Sequence, residues 1–251
     1  MSEVVLSLRG VSKWFTGLRA LTDINMDCMK GERIAIIGPN GAGKTTLFNI
    51  ITGERQITDG KIILFGEDVT KKSIRRRVQL GLRRTYQSTQ VFEKLTSKQN
   101  IALSLLGLAN ALNILGNVNG FIAAHSSHIN EVSGLVNLQH RIDSVVGSLS
   151  HGEKRQLEVG LSISYIPRII LFDEPAAGLS PQERQIVIDI LNSLPDDITV
   201  LLVEHDMEVA LNVAKRVIVL HEGRIVATGS PEEITKNKMV QDIYLGGKLD
   251  E

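Results

Sequence analysis

The sequence predicts an α/β fold: a core on a parallel sheet, a small antiparallel β subdomain and an inserted helical subdomain. Three observations point there. Four short apolar runs, at 33–37, 168–172, 198–203 and 216–220, are rich in Ile, Val and Leu without strict alternation, as strands buried on both faces are. Helical patterns separate these runs, giving the alternation of a βαβ architecture. The stretch 91–146 has no such run and reads as mostly helical, which places the core at 1–90 and 147–251 and the helical subdomain at 91–146.

Along the chain, residues 4–8 and 62–65 read as strands of the antiparallel subdomain. Residues 217–220, the pair Glu222-Gly223 and residues 224–227 read as a hairpin closing the parallel sheet. A length of 251 residues suits one large domain, and a hydrophobic content of 43% suffices for a sizeable core. Lys+Arg and Asp+Glu number 28 each, so no excess of positive charge supports nucleic-acid binding through a broad basic face. The single cysteine, Cys28, can form no internal disulfide and reads as a small buried hydrophobe in a protein of a reducing compartment. Residues 1–9 lack the features of a secretory signal. The longest apolar stretch, 101–115, is about 15 residues against the roughly 20 that span a bilayer, and Gly107, Asn110 and Asn113 break it. Membrane contact is therefore expected only through partners.

Gly38-Pro39-Asn40-Gly41-Ala42-Gly43-Lys44-Thr45 matches the phosphate-loop pattern G-x-x-x-x-G-K-[ST] in full. It follows an expected strand and opens a helix through Thr46, the context the pattern needs. Glycines let the backbone wrap a phosphate with successive N–H groups pointing inward, and the helix N-terminus favours the negative charge. Lys44 is placed for the β- and γ-oxygens and the Thr45 hydroxyl for Mg²⁺. The core is thus expected to be a P-loop NTPase that binds a nucleoside triphosphate with Mg²⁺.

The run 169–173 ends in an acid, Asp173, followed by Glu174. Carboxylates at the C-terminal end of a parallel strand sit where ligands bind. Alone, such a pair is an ordinary turn; beside the phosphate loop it reads as Asp173 for the Mg²⁺ shell and Glu174 as general base for the attacking water. In Leu149-Ser150-His151-Gly152-Glu153, the Ser150-x-x-Glu153 spacing is a capping box opening a helix. The Ser150 hydroxyl and Gly152 N–H there can also bind an anion, since the same orphan N–H groups serve both purposes.

Gly38 to Thr45, Gln87, residues 149–153, residues 169–174 and His205 follow the order found in ATP-binding cassette (ABC) ATPases, and the chain resembles that family over nearly its whole length. The resemblance implies a head-to-tail dimer, homo- or heteromeric. In it Ser150, His151, Gly152 and Glu153 of one subunit contact the γ-phosphate of ATP held by the other. It implies that His205 contacts that phosphate and orients the water, and that Gln87 links the Mg²⁺ site to the helical subdomain. Phe15 resembles the aromatic that stacks on adenine; neighbouring Trp14 could serve, and core packing is the other reading of an aromatic there. Within the family the chain resembles the ATPases of branched-chain amino acid, urea and amide importers, through Arg84-Thr85-Tyr86-Gln87, residues 174–179, residues 203–207 and Ile243-Tyr244-Leu245-Gly246. The partners so implied are transmembrane permeases, a second ATPase subunit and, indirectly, an extracytoplasmic solute-binding protein, at the cytoplasmic face of the inner membrane. An exporter subunit, or a soluble ABC ATPase outside transport, is the alternative.

Two departures from the family stand out. The signature reads Ser-His-Gly-Glu where most members have Ser-Gly-Gly-Gln, so His151 crowds the phosphate and Glu153 adds negative charge. Ser180 stands where many relatives carry Asp. The clusters Arg75-Arg76-Arg77 and Arg83-Arg84 read as a solvated helix face, with an acidic partner or lipid headgroups as the other reading. His125, His128, His140 and His221 show no metal-ligand spacing.

Overall fold

The computed structural model describes residues 3–86, 91–106, 118–165 and 167–245. Its contacts divide the chain into two compact units, the first comprising Met1–Arg84, Arg168–Glu174 and Pro195–Glu251, the second Thr85–Pro167 and Pro175–Leu194.

The first unit contains two sheets. β1 (Val4–Phe15) and β2 (Leu18–Met29) form a long antiparallel hairpin, joined on the β1 side by β4 (Asp59–Leu64) and then β5 (Glu67–Asp68). β1 runs well beyond the expected 4–8, because its pairing with β2 continues through several bulges to the Phe15–Leu18 turn. The second sheet has the order β10-β9-β3-β8-β7-β6, from β3 (Arg33–Ile37), β6 (Leu82–Arg84), β7 (Ile169–Asp173), β8 (Thr199–Val203), β9 (Arg216–His221) and β10 (Arg224–Gly229). All are parallel except β10, which returns from β9 through Glu222 and Gly223, both at positive φ as a type I′ turn requires.

Alternate residues of β3 feed opposite cores, as a period of two dictates. Ile34 and Ile36 join β1, β2, β4 and helix α1 (Lys44–Thr52) in one cluster. Ala35 and Ile37 pack in another with α8 (Met207–Val213), α9 (Pro231–Lys236) and α10 (Lys238–Leu245). Burial on both faces explains why these strands carry unbroken apolar runs. Cys28 is fully buried in the first cluster, where burial pushes its thiol pKa far up.

Arg77, on α2 (Ile74–Gln79), departs from the solvated reading of the arginine run. It is 1% exposed and donates to the carbonyls of Ile50, Ile51 and Val69 at 2.6–2.7 Å. The guanidinium thereby caps the C-terminal end of α1, where unpaired carbonyls favour a cation. Burial lowers its pKa to about 10, so the charge persists at neutral pH.

The second unit is helical: α3 (Ser97–Leu106), α4 (Val118–Ala124), α5 (Ser126–Leu135), α6 (His151–Ile163) and α7 (Pro181–Ser193). It is wider than the stretch 91–146, because α6 packs on α3, α5 and α7. Part of the apolar stretch 101–115 lies outside the described residues. Among the described residues no helix is long and apolar enough to cross a membrane.

Candidate active site

The register of the parallel sheet assembles the site. Asp173 on β7 pairs with Val203 on β8, and Val203 pairs with Ile36 on β3, so three strand ends finish in one row. The phosphate loop leaves β3, Glu174 leaves β7 and His205 follows β8, all at the carboxyl edge.

The loop's shape depends on its glycines. Gly38 has φ +152 and a Cβ there would lie 2.0 Å from the Leu220 carbonyl oxygen; Gly43 has φ +104 and a Cβ would lie 2.7 Å from the Ala20 carbonyl. Gly223, in the β9–β10 turn, donates to the Ala42 carbonyl at 3.0 Å and holds the loop from behind. Gly43 caps α1 with no side-chain hydrogen bond, and the first turn carries no acid. Lys44 is 7% exposed and folds into its own loop, donating to the carbonyls of Gly38 at 2.6 Å and Pro39 at 3.1 Å. Burial lowers its pKa while nearby Glu174 and Asp173 oppose that.

Glu174 has φ +50, a left-handed conformation that is costly for this residue and is held by its N–H bonding to Val203 O at 2.9 Å. Its carboxylate lies 3.6 Å from His205 Nδ1. The next residue, Asp206, caps α8 by accepting from the Glu208 N–H at 2.9 Å, which fixes the chain at His205. Asp173 is buried and its carboxylate is held by Arg84 at 2.6 Å. Burial raises the Asp173 pKa, and the Arg84 guanidinium works against the rise. Arg84 is thus a second correction to the solvated reading of the arginines, its side chain 5% exposed.

A cavity of about 600 Å³ runs from the loop, residues 40–46, past Glu174 to Phe15, Leu18 and Arg19 at the hairpin tip. Phe15 faces it, 40% exposed, with Lys13 Nζ 5.0 Å over its ring; Trp14 instead sits beside the Arg19 guanidinium. Phe15, Gly38, Pro39, Asn40, Gly41, Ala42, Gly43, Lys44, Thr45, Thr46, Asp173, Glu174 and His205 thus all belong to the first unit. Gln87 lies outside the described residues.

Ser150, His151, Gly152 and Glu153 belong to the second unit. The capping box is complete: Ser150 Oγ accepts from the Glu153 N–H at 3.1 Å, and Glu153 accepts from the Ser150 N–H at 2.8 Å. The extra charge of Glu153 meets Arg141 Nε at 2.8 Å; burial raises its pKa, yet Arg141 and the Ser150 amide outweigh that and lower it. A second carboxylate sits at this helix start. Glu183 closes the capping box of α7 with Ser180, and a Cβ on Gly152 would lie 2.5 Å from its Oε1. Its pKa is lowered chiefly by the Ser180 amide, with the Gly152 amide adding to that. Arg84 enters the sequence reading only through its string and its basic cluster, neither of which signals the contact with Asp173, and Glu183 only through the Ser180-x-x-Glu183 spacing of a helix start.

Comparison with known proteins places the sequence and the fold in one family. The family model for ABC transporters matches residues 21–177. The chain is 33% identical to the high-affinity branched-chain amino acid transport ATP-binding protein BraF of Pseudomonas aeruginosa, over 98% of this chain and 99% of that protein. It is 31% identical to the corresponding LivG of Escherichia coli, over 98% and 99%. The fold superposes on the ADP conformation of MJ1267, an ATP-binding cassette of an ABC transporter, with a TM-score of 0.84, 27% identity and coverage of 97% and 99%. The chain belongs to the ABC transporter family, as an ATP-hydrolysing nucleotide-binding subunit.

Proposed function

We propose that this chain powers an importer of branched-chain amino acids or a related small polar solute such as urea or an amide. The observation that carries this reading is full-length similarity to BraF and LivG, whose names state branched-chain amino acid transport. Two ATPase subunits, identical or related, close on two ATP molecules, residues 150–153 of each meeting the γ-phosphate held by the other. They lie at the cytoplasmic face of the membrane against transmembrane permeases, which an extracytoplasmic solute-binding protein supplies. The segment after Gln87 carries the motion to the permeases.

Within one site, Phe15 stacks on adenine and the amides of residues 38–46 cradle the phosphates. Lys44 exchanges the Gly38 and Pro39 carbonyls for phosphate oxygens, a stronger charge-assisted contact. Thr45 and Asp173 offer a hydroxyl and a carboxylate at the loop, a hard-oxygen set that fits Mg²⁺, and with Gln87 they would hold it. Bound there, Mg²⁺ neutralises charge on the phosphates. Glu174 takes the proton of the attacking water while His205 orients that water. Departure of the γ-phosphate removes the contact shared between subunits, so hydrolysis opens the pair.

The test is an affinity pull-down of a Glu174→Gln variant from solubilised membranes with ATP. Recovery of multispanning permeases of the amino-acid importer type is expected. Export machinery or soluble partners alone would overturn the import reading and leave the ATPase standing.

A further inference from the structure

We propose that Arg84 is a positioning residue for the metal-dependent step, aligning the Asp173 carboxylate with the phosphate-loop helix. The inference rests on the reading of Asp173 as a Mg²⁺-holding residue.

Arg84 is the last residue of β6, and its guanidinium joins three elements. Nη2 donates to Asp173 Oδ2 at 2.6 Å, at the end of β7. Nη1 donates to Asn49 Oδ1 at 2.6 Å, on α1, and to Glu54 Oε1 at 3.1 Å, just beyond that helix. The guanidinium carbon also lies 5.7 Å from the centroid of the Phe48 ring, again on α1. Helix α1 begins at Lys44 and carries the phosphate loop on its N-terminus. One planar group thus ties the carboxylate at one strand end to the body of the helix that binds the phosphates.

The chemistry favours positioning over simple neutralisation. A guanidinium presents its donors in a rigid fork, so engaging Oδ2 with one arm and Asn49 with the other sets the rotation of the carboxylate about its own bond. That rotation decides where Oδ1 points. A compact ammonium would balance the charge without fixing that angle. Groups that orient a metal-holding side chain from outside the ligand set commonly account for about 10–100-fold in metal affinity.

The test titrates Mg²⁺ against binding of a fluorescent ATP analogue to the full chain, for wild type, Arg84→Lys, Arg84→Gln and Asp173→Asn, with thermal melting of each. The Arg84 variants should bind the analogue without metal within about twofold of wild type. Their Mg²⁺ midpoint should rise by about 10–100-fold, Arg84→Lys at the lower end. Arg84→Lys retains the charge, so it decides the matter if Arg84→Gln fails to fold. Wild-type Mg²⁺ midpoints in the Arg84 variants beside a raised midpoint in Asp173→Asn would overturn the role of Arg84 alone. Equal weakening with and without metal would likewise reduce Arg84 to a structural residue. An unmoved midpoint in Asp173→Asn would remove the reading of Asp173 itself, and the inference with it.

Discussion

Two helices of this chain begin at phosphate-related motifs, and they begin differently. α1 starts from Gly43 in a left-handed conformation, with no side-chain cap and no acid in its first turn. α6 starts from Ser150 with a full capping box, and a carboxylate from the next helix, Glu183, stands against Gly152. A helix N-terminus carries orphan N–H groups and a partial positive charge that some acceptor must satisfy. At α1 no side chain caps the helix and no acid stands in its first turn, and the loop is kept in shape by glycines and by Lys44 folded onto its own carbonyls. At α6 the protein supplies its own acceptors, so in the proposed head-to-tail pair a phosphate brought by a second subunit would have to displace or share with a carboxylate.

Substitutions can break that contrast, and the largest effect should come at the loop. Gly38→Ala puts a methyl group against the Leu220 carbonyl at a φ that side chains rarely adopt, and should cost about 3 kcal/mol or more of stability by thermal or denaturant unfolding. Lys44→Ala removes the charge-assisted contact to the phosphates, about 1.5–3 kcal/mol, and should weaken ATP binding by roughly 10–100-fold in a direct titration. Ser150→Ala leaves α6 without its cap at about 1 kcal/mol, seen in the melting temperature, while nucleotide affinity of the isolated subunit stays unchanged. Glu183→Gln keeps the cap of α7 but removes the charge beside Gly152. It should favour ATP-driven association a few-fold, about 0.3–1 kcal/mol, by light scattering.

Asp27 sets a baseline away from both helix starts. Its hydrogen bond from Arg9 lowers its pKa, so this pair stabilises the fold above the unfolded pKa of Asp27 and loses that contribution as pH falls through the lower folded value. Because the pair is exposed, Asp27→Asn should cost under about 1 kcal/mol at neutral pH, and the difference from wild type should vanish in acid.

How much of this could be read from the sequence follows from locality. The phosphate loop, the Asp173-Glu174 pair, both cores of the parallel sheet and the Ser150 capping box are written in contiguous residues, and the structure places them accordingly. The arginines were not legible. Arg77 and Arg84 sit in two charged clusters that read as solvated, yet each is buried by partners distant in the chain: Arg84 reaches Glu54 30 positions away and Asp173 89 positions away. β6 is three residues long and has no apolar run to announce it. The extent of the helical unit was hidden similarly, because α7 joins it after the chain has passed through β7 in the other unit. Glu183 carries a local signal only as the cap of its own helix, and nothing local tells that its other oxygen faces Gly152.

Single-turnover hydrolysis by Glu174→Gln, beside a parallel ATP-binding titration, tests whether Glu174 is the general base. ATP affinity should be retained and hydrolysis slowed by about 10²–10⁴-fold if Glu174 takes the proton. Hydrolysis at the wild-type rate with ATP bound equally well would contradict it.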